Sequence, residues 1–134
     1  MIELFKILVF ITGVSHVTGT DMSVTMLRFN GHADSEYFKG EILPGGVDTQ
    51  MHFTRDSTLL SARYMLKGVD ANGDSCSVYI CNEGYMTPRN GKTHPKIVTD
   101  SKVLSEACKG ELSGTIEGAP GGIMIRLFKE EEKQ

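Results

Sequence analysis

Residues 59–83 read Leu59-Leu60-Ser61-Ala62-Arg63-Tyr64-Met65-Leu66-Lys67-Gly68-Val69-Asp70-Ala71-Asn72-Gly73-Asp74-Ser75-Cys76-Ser77-Val78-Tyr79-Ile80-Cys81-Asn82-Glu83. Two strand-length runs, 59–68 and 75–83, flank the turn signal Asp70-Ala71-Asn72-Gly73-Asp74. A two-residue Asn-Gly turn would place Val78 and Ile80 on the polar side of the hairpin. A three-residue loop with Gly73 in the left-handed conformation instead sets Arg63 opposite Cys81 and Met65 opposite Tyr79. That register keeps Val78 and Ile80 beside Tyr64 and Leu66 on one apolar face, so it is the one expected.

Working outward, similar runs recur between closely spaced glycines. Strands are expected near 3–11, 23–30, 36–43, 47–54, 59–68, 75–83, 111–117 and 122–129, with one short helix near Ser101–Cys108 capped by Ser101. No internal repeat, low-complexity tract or linker interrupts the chain. The expected fold is all-β: a single antiparallel β-barrel over residues 1–134, calycin-like or a similar up-and-down barrel, which leaves no open sheet edge. A length of 134 residues, 40% of them hydrophobic, suits one domain.

For the preceding hairpin, a turn over Arg55–Thr58 with Asp56-Ser57 at its tip places Gln50 opposite Arg63, Asp48 opposite Met65 and His52 opposite Ser61. One face then carries Asp48, Gln50, His52, Ser61 and Arg63, joined by Ser77, Tyr79 and Glu83. The other carries Val47, Met51, Phe53, Leu60, Ala62, Tyr64 and Leu66. Such a polar face either lies against water, as most do, or lines a pocket; a water-facing sheet surface usually bears Thr, Lys and Glu, whereas Asp, Gln, His, Arg and Tyr together match the few placed polar groups of a ligand site. Within such a pocket Asp48 is the candidate general base and Tyr79 the candidate acid or oxyanion donor. Arg63 would pair with Asp48 or orient a carboxylate or carbonyl.

These middle strands resemble a known family. Gly40-Glu41-Ile42-Leu43-Pro44-Gly45-Gly46-Val47-Asp48-Thr49-Gln50, then Ala62-Arg63-Tyr64-Met65-Leu66, then Asp70–Gly73 and Val78-Tyr79-Ile80-Cys81-Asn82-Glu83-Gly84 are similar to the bacterial family called domain of unknown function 3237. The similarity is strong over residues 36–84 and looser elsewhere. It implies a small antiparallel β-barrel and no assigned activity, with Asp48, Gln50, Arg63, Tyr79 and Asn82 as motif positions. The C-terminal third lacks a Trp expected of many relatives, and Cys81 departs from the usual residue there.

The remaining features narrow the classes of function. Fourteen basic against seventeen acidic residues give no basic surplus for nucleic acid. No segment approaches the run of about 20 apolar residues that spans a bilayer as a helix, so no membrane partner is expected. Lys6 before Ile7-Leu8-Val9-Phe10-Ile11, with Gly19 beyond, has parts of a signal peptide; Glu3 offsets Lys6, and a first strand explains the stretch better. Cys76, Cys81 and Cys108 form no CxxC pair and are expected as buried thiols in a reducing cytoplasm. His16, His32, His52 and His94 lack ligand spacing, so neither a metal nor a cofactor is expected. No Gly-x-Ser-x-Gly elbow is present, and Cys108 has no sequence-adjacent His to activate it.

The stretch Met86–Pro95 shows no strand pattern and is expected as a loop, either a solvated excursion between strands or a binding loop whose Arg89, Lys92 and His94 would close over an anionic ligand at the barrel mouth. Lys129–Lys133 is expected as a solvated end. Three functions follow as expectations. The first is a cytoplasmic small-molecule-binding barrel centred on Asp48, Gln50, Arg63 and Tyr79, with His52 and Asn82 as further ligand contacts. The second is an acid-base enzyme of isomerase or cyclase type using Asp48 and Tyr79. The third is a homo-oligomeric structural barrel without ligand.

Overall fold

The computed structural model describes residues 1–54, 56–89 and 91–130. Its elements are β1 (Ile2–Thr18), β2 (Ser23–Asp34), β3 (Phe38–Ile42), β4 (Val47–Thr54), β5 (Ser57–Asp70), β6 (Ser75–Met86), β7 (His94–Thr99), α1 (Lys102–Ala107), β8 (Leu112–Ala119) and β9 (Gly122–Lys129). Every strand pairing is antiparallel, and all nine strands belong to one sheet.

β3 and β4 lie end to end between β2 and β5. Arg28 pairs with Val47 and His32 with Glu41, while Leu43–Gly46 bridges the gap between the two short strands. Gly45 takes a positive φ of 112° there, a conformation that a residue with a Cβ adopts only with strain. The rest is a meander in which β9 returns to pair with β1. The end strands β7 and β8 meet at a bridge just before β7, where Thr93 and Gly114 exchange backbone hydrogen bonds of 3.0 and 2.9 Å. The all-β, single-helix, antiparallel expectation therefore holds, in a curled, barrel-like sheet.

One end of the interior is tightly packed. Phe5, Phe38, Leu66, Val78, Ile80 and Leu127 fill it, and α1 adds the fully buried Leu104. The Phe5 and Phe38 rings lie 5.9 Å apart and tilted, a favourable aromatic arrangement. Ser101 caps the helix as expected, accepting from the Leu104 N–H at 3.2 Å. Its hydroxyl also donates to Asp70 Oδ2 at 2.7 Å. Asp70 Oδ1 accepts the backbone N–H groups of Asn72 and Asp74, so one carboxylate ties helix and turn together.

The β5–β6 hairpin has the expected register: Arg63 faces Cys81, Met65 faces Tyr79, and Gly73 has a φ of 81°. The β4–β5 hairpin does not. Gln50 faces Leu60 rather than Arg63, Asp48 faces Ala62, and His52 faces Thr58. Thr54 pairs with Ser57, and an irregularity between His52 and Thr54 shifts the strand; Arg55, part of the expected turn, lies outside the described residues. The offset from the expected pairing is odd, so the two faces of β4 exchange. Val47, Met51 and Phe53 lie on the outer side, where Phe53 stacks on Tyr85, and Asp48, Gln50 and His52 turn inward.

A second correction concerns the 85–100 region. β7 occupies His94–Thr99 and pairs with β6 from Glu83↔His94 to Val78↔Thr99, so only residues 87–93 connect the strands. Pro95 hid this strand because proline weakens a strand reading, yet it sits next to the strand start, a position where proline is tolerated. Of the thiols, Cys76 is buried, while Cys81 and Cys108 are partly exposed. Asn90, and Glu131–Lys133 of the expected solvated end, lie outside the described residues.

Candidate functional site

Beyond the packed core the interior opens into a cavity of about 180 Å³. Its apolar walls include Val9, Leu27, Phe29, Leu60, Ile116 and Ile125, contributed by β1, β2, β5, β8 and β9. The polar contribution is confined to Asp48 and Gln50 of β4, Asn82 of β6 and Thr93 at the seam. Three polar atoms there are buried and have no described protein group as hydrogen-bond partner: Asp48 Oδ1, Asn82 Oδ1 and Thr93 Oγ1. Asn82 is 3% and Thr93 1% exposed. Buried polar atoms in folded proteins are nearly always paired, so three unpaired oxygens around one cavity are unusual.

The sheet register explains how they converge. Asp48 pairs with Ala62, and Ala62 pairs with Asn82, so the three form one row across β4, β5 and β6. The small Ala62 between two polar side chains leaves the space above it open. Thr93 reaches the same cavity because its neighbours are glycines. A Cβ on Gly114 would lie 2.4 Å from Thr93 Oγ1, and one on Gly84 would lie 2.9 Å from Thr93 Cα.

Asp48 Oδ2 accepts a hydrogen bond from Gln50 Nε2 at 3.0 Å. Burial raises the Asp48 carboxyl above the ordinary carboxylate range, with the Gln50 hydrogen bond and one from the Ser61 backbone pulling weakly the other way. Tyr64 lies beneath, its ring edge-on to Phe29 at 5.3 Å and its hydroxyl buried and unpaired. Burial, reinforced by the Asp48 charge, pushes the Tyr64 phenol strongly upward, so it stays protonated.

Of the residues expected from sequence, Asp48, Gln50 and Asn82 line the cavity. His52 shares their face one pair nearer the open end, with Nδ1 3.0 Å from Thr58 Oγ1. Arg63 and Tyr79 are not brought there. Buried positions on β5 are the even-numbered Leu60 to Leu66, so Arg63 points outward. It lines a shallow outer groove with Met51, Ser61 and Glu83. Tyr79 lies on that outer side, between the buried Val78 and Ile80. The Asp48–Arg63 pair is therefore excluded, since the two side chains occupy opposite faces of the sheet.

Sequence reasoning missed Thr93, because it sat within the stretch expected to be a loop. It also missed a chain of contacts across the open end: His16 Nδ1 lies 2.8 Å from Thr25 Oγ1, which lies 3.5 Å from His52 Nε2. These residues are far apart in the chain, and only the β1–β2 and β2–β4 pairings bring them together. Among the described residues no group of three or more His, Cys, Asp or Glu is placed to hold a metal ion. Cys108 is a poor nucleophile, its thiol pushed up to about 11 by burial. No described helix is long and apolar enough to cross a membrane.

Solved structures share this architecture. A protein of unknown function from Clostridium acetobutylicum is 21% identical, with a TM-score of 0.80 over 96% of this chain and 97% of that one. A beta-barrel like protein from Acinetobacter baumannii is 18% identical, with a TM-score of 0.74 over 94% and 92%. A conserved protein of unknown function from Rhodopseudomonas palustris is 18% identical, with a TM-score of 0.75 over 94% and 93%. At these identities the likeness speaks for the fold alone. No curated protein matches the chain. Residues 5–121 match the family model described as "Protein of unknown function (DUF3237)", and the chain belongs to that family.

Proposed function

We propose that this protein binds a small, largely apolar molecule inside its barrel-like sheet, at a site formed by Asp48, Gln50, Asn82 and Thr93. The observation that carries the reading is the cavity of about 180 Å³ faced by three unpaired side-chain oxygens. An apolar cavity of about 150 Å³ is enough to hold benzene, so this volume suits a ligand of about one ring with a polar substituent. The ligand would give these oxygens hydrogen-bond partners that no described protein group supplies.

Screening single-ring compounds by thermal stabilisation tests this, with Ala62→Leu as a variant that fills the space between Asp48 and Asn82. Compounds that stabilise the wild type are expected to lose their effect on the variant. Equal stabilisation of both proteins, or of neither, would remove the proposal.

A second reading draws on the raised Asp48 carboxyl. A carboxyl shifted towards neutrality can accept and return a proton, as in an isomerase. Asp48 is the only titratable side chain among the described cavity-lining residues, so such a reaction would use one group as both acid and base. Rebound of the same proton, read as retention of isotope in a product made in heavy water, would support it over simple binding.

A further inference from the structure

The polar groups of the cavity are unbalanced in a way that specifies the ligand further. Asp48 Oδ1 and Asn82 Oδ1 can only accept from a ligand while Asp48 is ionised, and Thr93 Oγ1 can accept as well. The Gln50 amide N–H that reaches this group is already given to Asp48 Oδ2. No Lys or Arg lines the cavity among the described residues; Arg63 faces outward and Arg28 donates to Ser15. Among the described residues, the cavity therefore contains a carboxylate with no cation beside it. Burying such a charge alone is costly, and two events relieve it: uptake of a proton, or arrival of a cation.

We infer that the ligand is a small apolar primary amine, bound as its ammonium ion above Ala62 with N–H groups donated to Asp48 Oδ1 and Asn82 Oδ1. This rests on the binding reading above. The Thr93 hydroxyl, 1% exposed and facing the same space, is the acceptor for a third N–H. A primary ammonium has three donors and no acceptor, which complements a set of three unpaired oxygens. A neutral alcohol brings a single donor and leaves the carboxylate without countercharge. A carboxylate ligand meets like charge and no cation. The apolar body of the amine lies against Leu60, Ile116, Ile123 and Ile125, which accept a ring or short branched chain but no second charge.

The test compares benzylamine, benzyl alcohol, toluene and benzoate in NMR titrations of the whole protein near neutral pH. Benzylamine is expected to bind about tenfold or more tightly than benzyl alcohol, because charge-assisted hydrogen bonds replace neutral ones. Benzoate is expected to leave the cavity residues unshifted. In Asp48→Asn the preference for the amine should vanish while benzyl alcohol keeps its affinity within about threefold. Should that variant fail to fold, Thr93→Val should weaken benzylamine and leave toluene unchanged. If benzyl alcohol or benzoate binds the cavity as well as the amine does, the amine assignment is overturned and the binding site stands. If none of the four shifts a cavity residue, both fall.

Discussion

The two ends of the interior are built from the same strands in opposite ways. At the helix end, Phe5, Phe38, Leu66 and Leu104 are fully buried within one cluster, and the buried Asp70 is satisfied by Ser101, Asn72 and Asp74. At the other end, a cavity remains and Asp48, Asn82 and Thr93 each hold an unpaired oxygen. The difference shows a division of labour within one sheet. On the binding reading proposed above, the packed end supplies stability and the open end keeps polar groups for a ligand, a common arrangement where stability is given up for function.

The largest test of that contrast is in the packed end. Phe38→Ala should destabilise the protein by about 3–5 kcal/mol in urea unfolding, because a fully buried ring is lost from a region with little room to relax. A cost near zero would mean that this end is not the stabilising one. Next in size is the seam that closes over the cavity. Gly114→Ala would bring a Cβ within 2.4 Å of Thr93 Oγ1 and 2.9 Å of Leu127 Cδ2, for an expected loss of about 1–3 kcal/mol. Such a change should also weaken binding of single-ring compounds, which Phe38→Ala should not.

The smallest effect sharpens the comparison by its sign. Burial raises the Asp48 carboxyl in the fold, so its contribution is most favourable below the ordinary carboxylate range and is lost as pH rises through the raised value. Asp70 behaves oppositely. Its hydrogen bond from Ser101 lowers it, so its contribution is present above the ordinary range and is lost as pH falls through the lowered value. Asp48→Asn should therefore stabilise the ligand-free protein near neutral pH, and Asp70→Asn should destabilise it, with both differences shrinking in acid. Chemical unfolding of the two variants at neutral and acid pH measures this; shifts of the same sign would contradict the account.

How far these ends could be read from sequence differed for physical reasons. The β5–β6 register was legible because Gly73 announces its turn and Val78 and Ile80 demand the side of Tyr64 and Leu66. The β4–β5 register was not, because both faces of β4 mix types: Asp48, Gln50 and His52 alternate with Val47, Met51 and Phe53, and hydrophobic pattern favoured the wrong side. Placing an acid inward violates that pattern, and the violation coincides with the cavity, as is usual at functional positions. Asp48, Gln50 and Asn82 were thus grouped with Arg63 and Tyr79, which lie on the opposite face of the sheet. Thr93 and the His16–Thr25–His52 chain depend on contacts between distant strands, which no local signal encodes.

Isoleucine methyl NMR of the wild type tests the central claim most directly, because isoleucines mark both ends of the interior. On titration with the single-ring probes, the methyls of Ile116, Ile123 and Ile125 should shift while that of Ile80 in the packed end stays in place. Methyl shifts spread equally over both ends, or cavity methyls that stay in place while the probes bind, would contradict the assignment of the open end as the binding site.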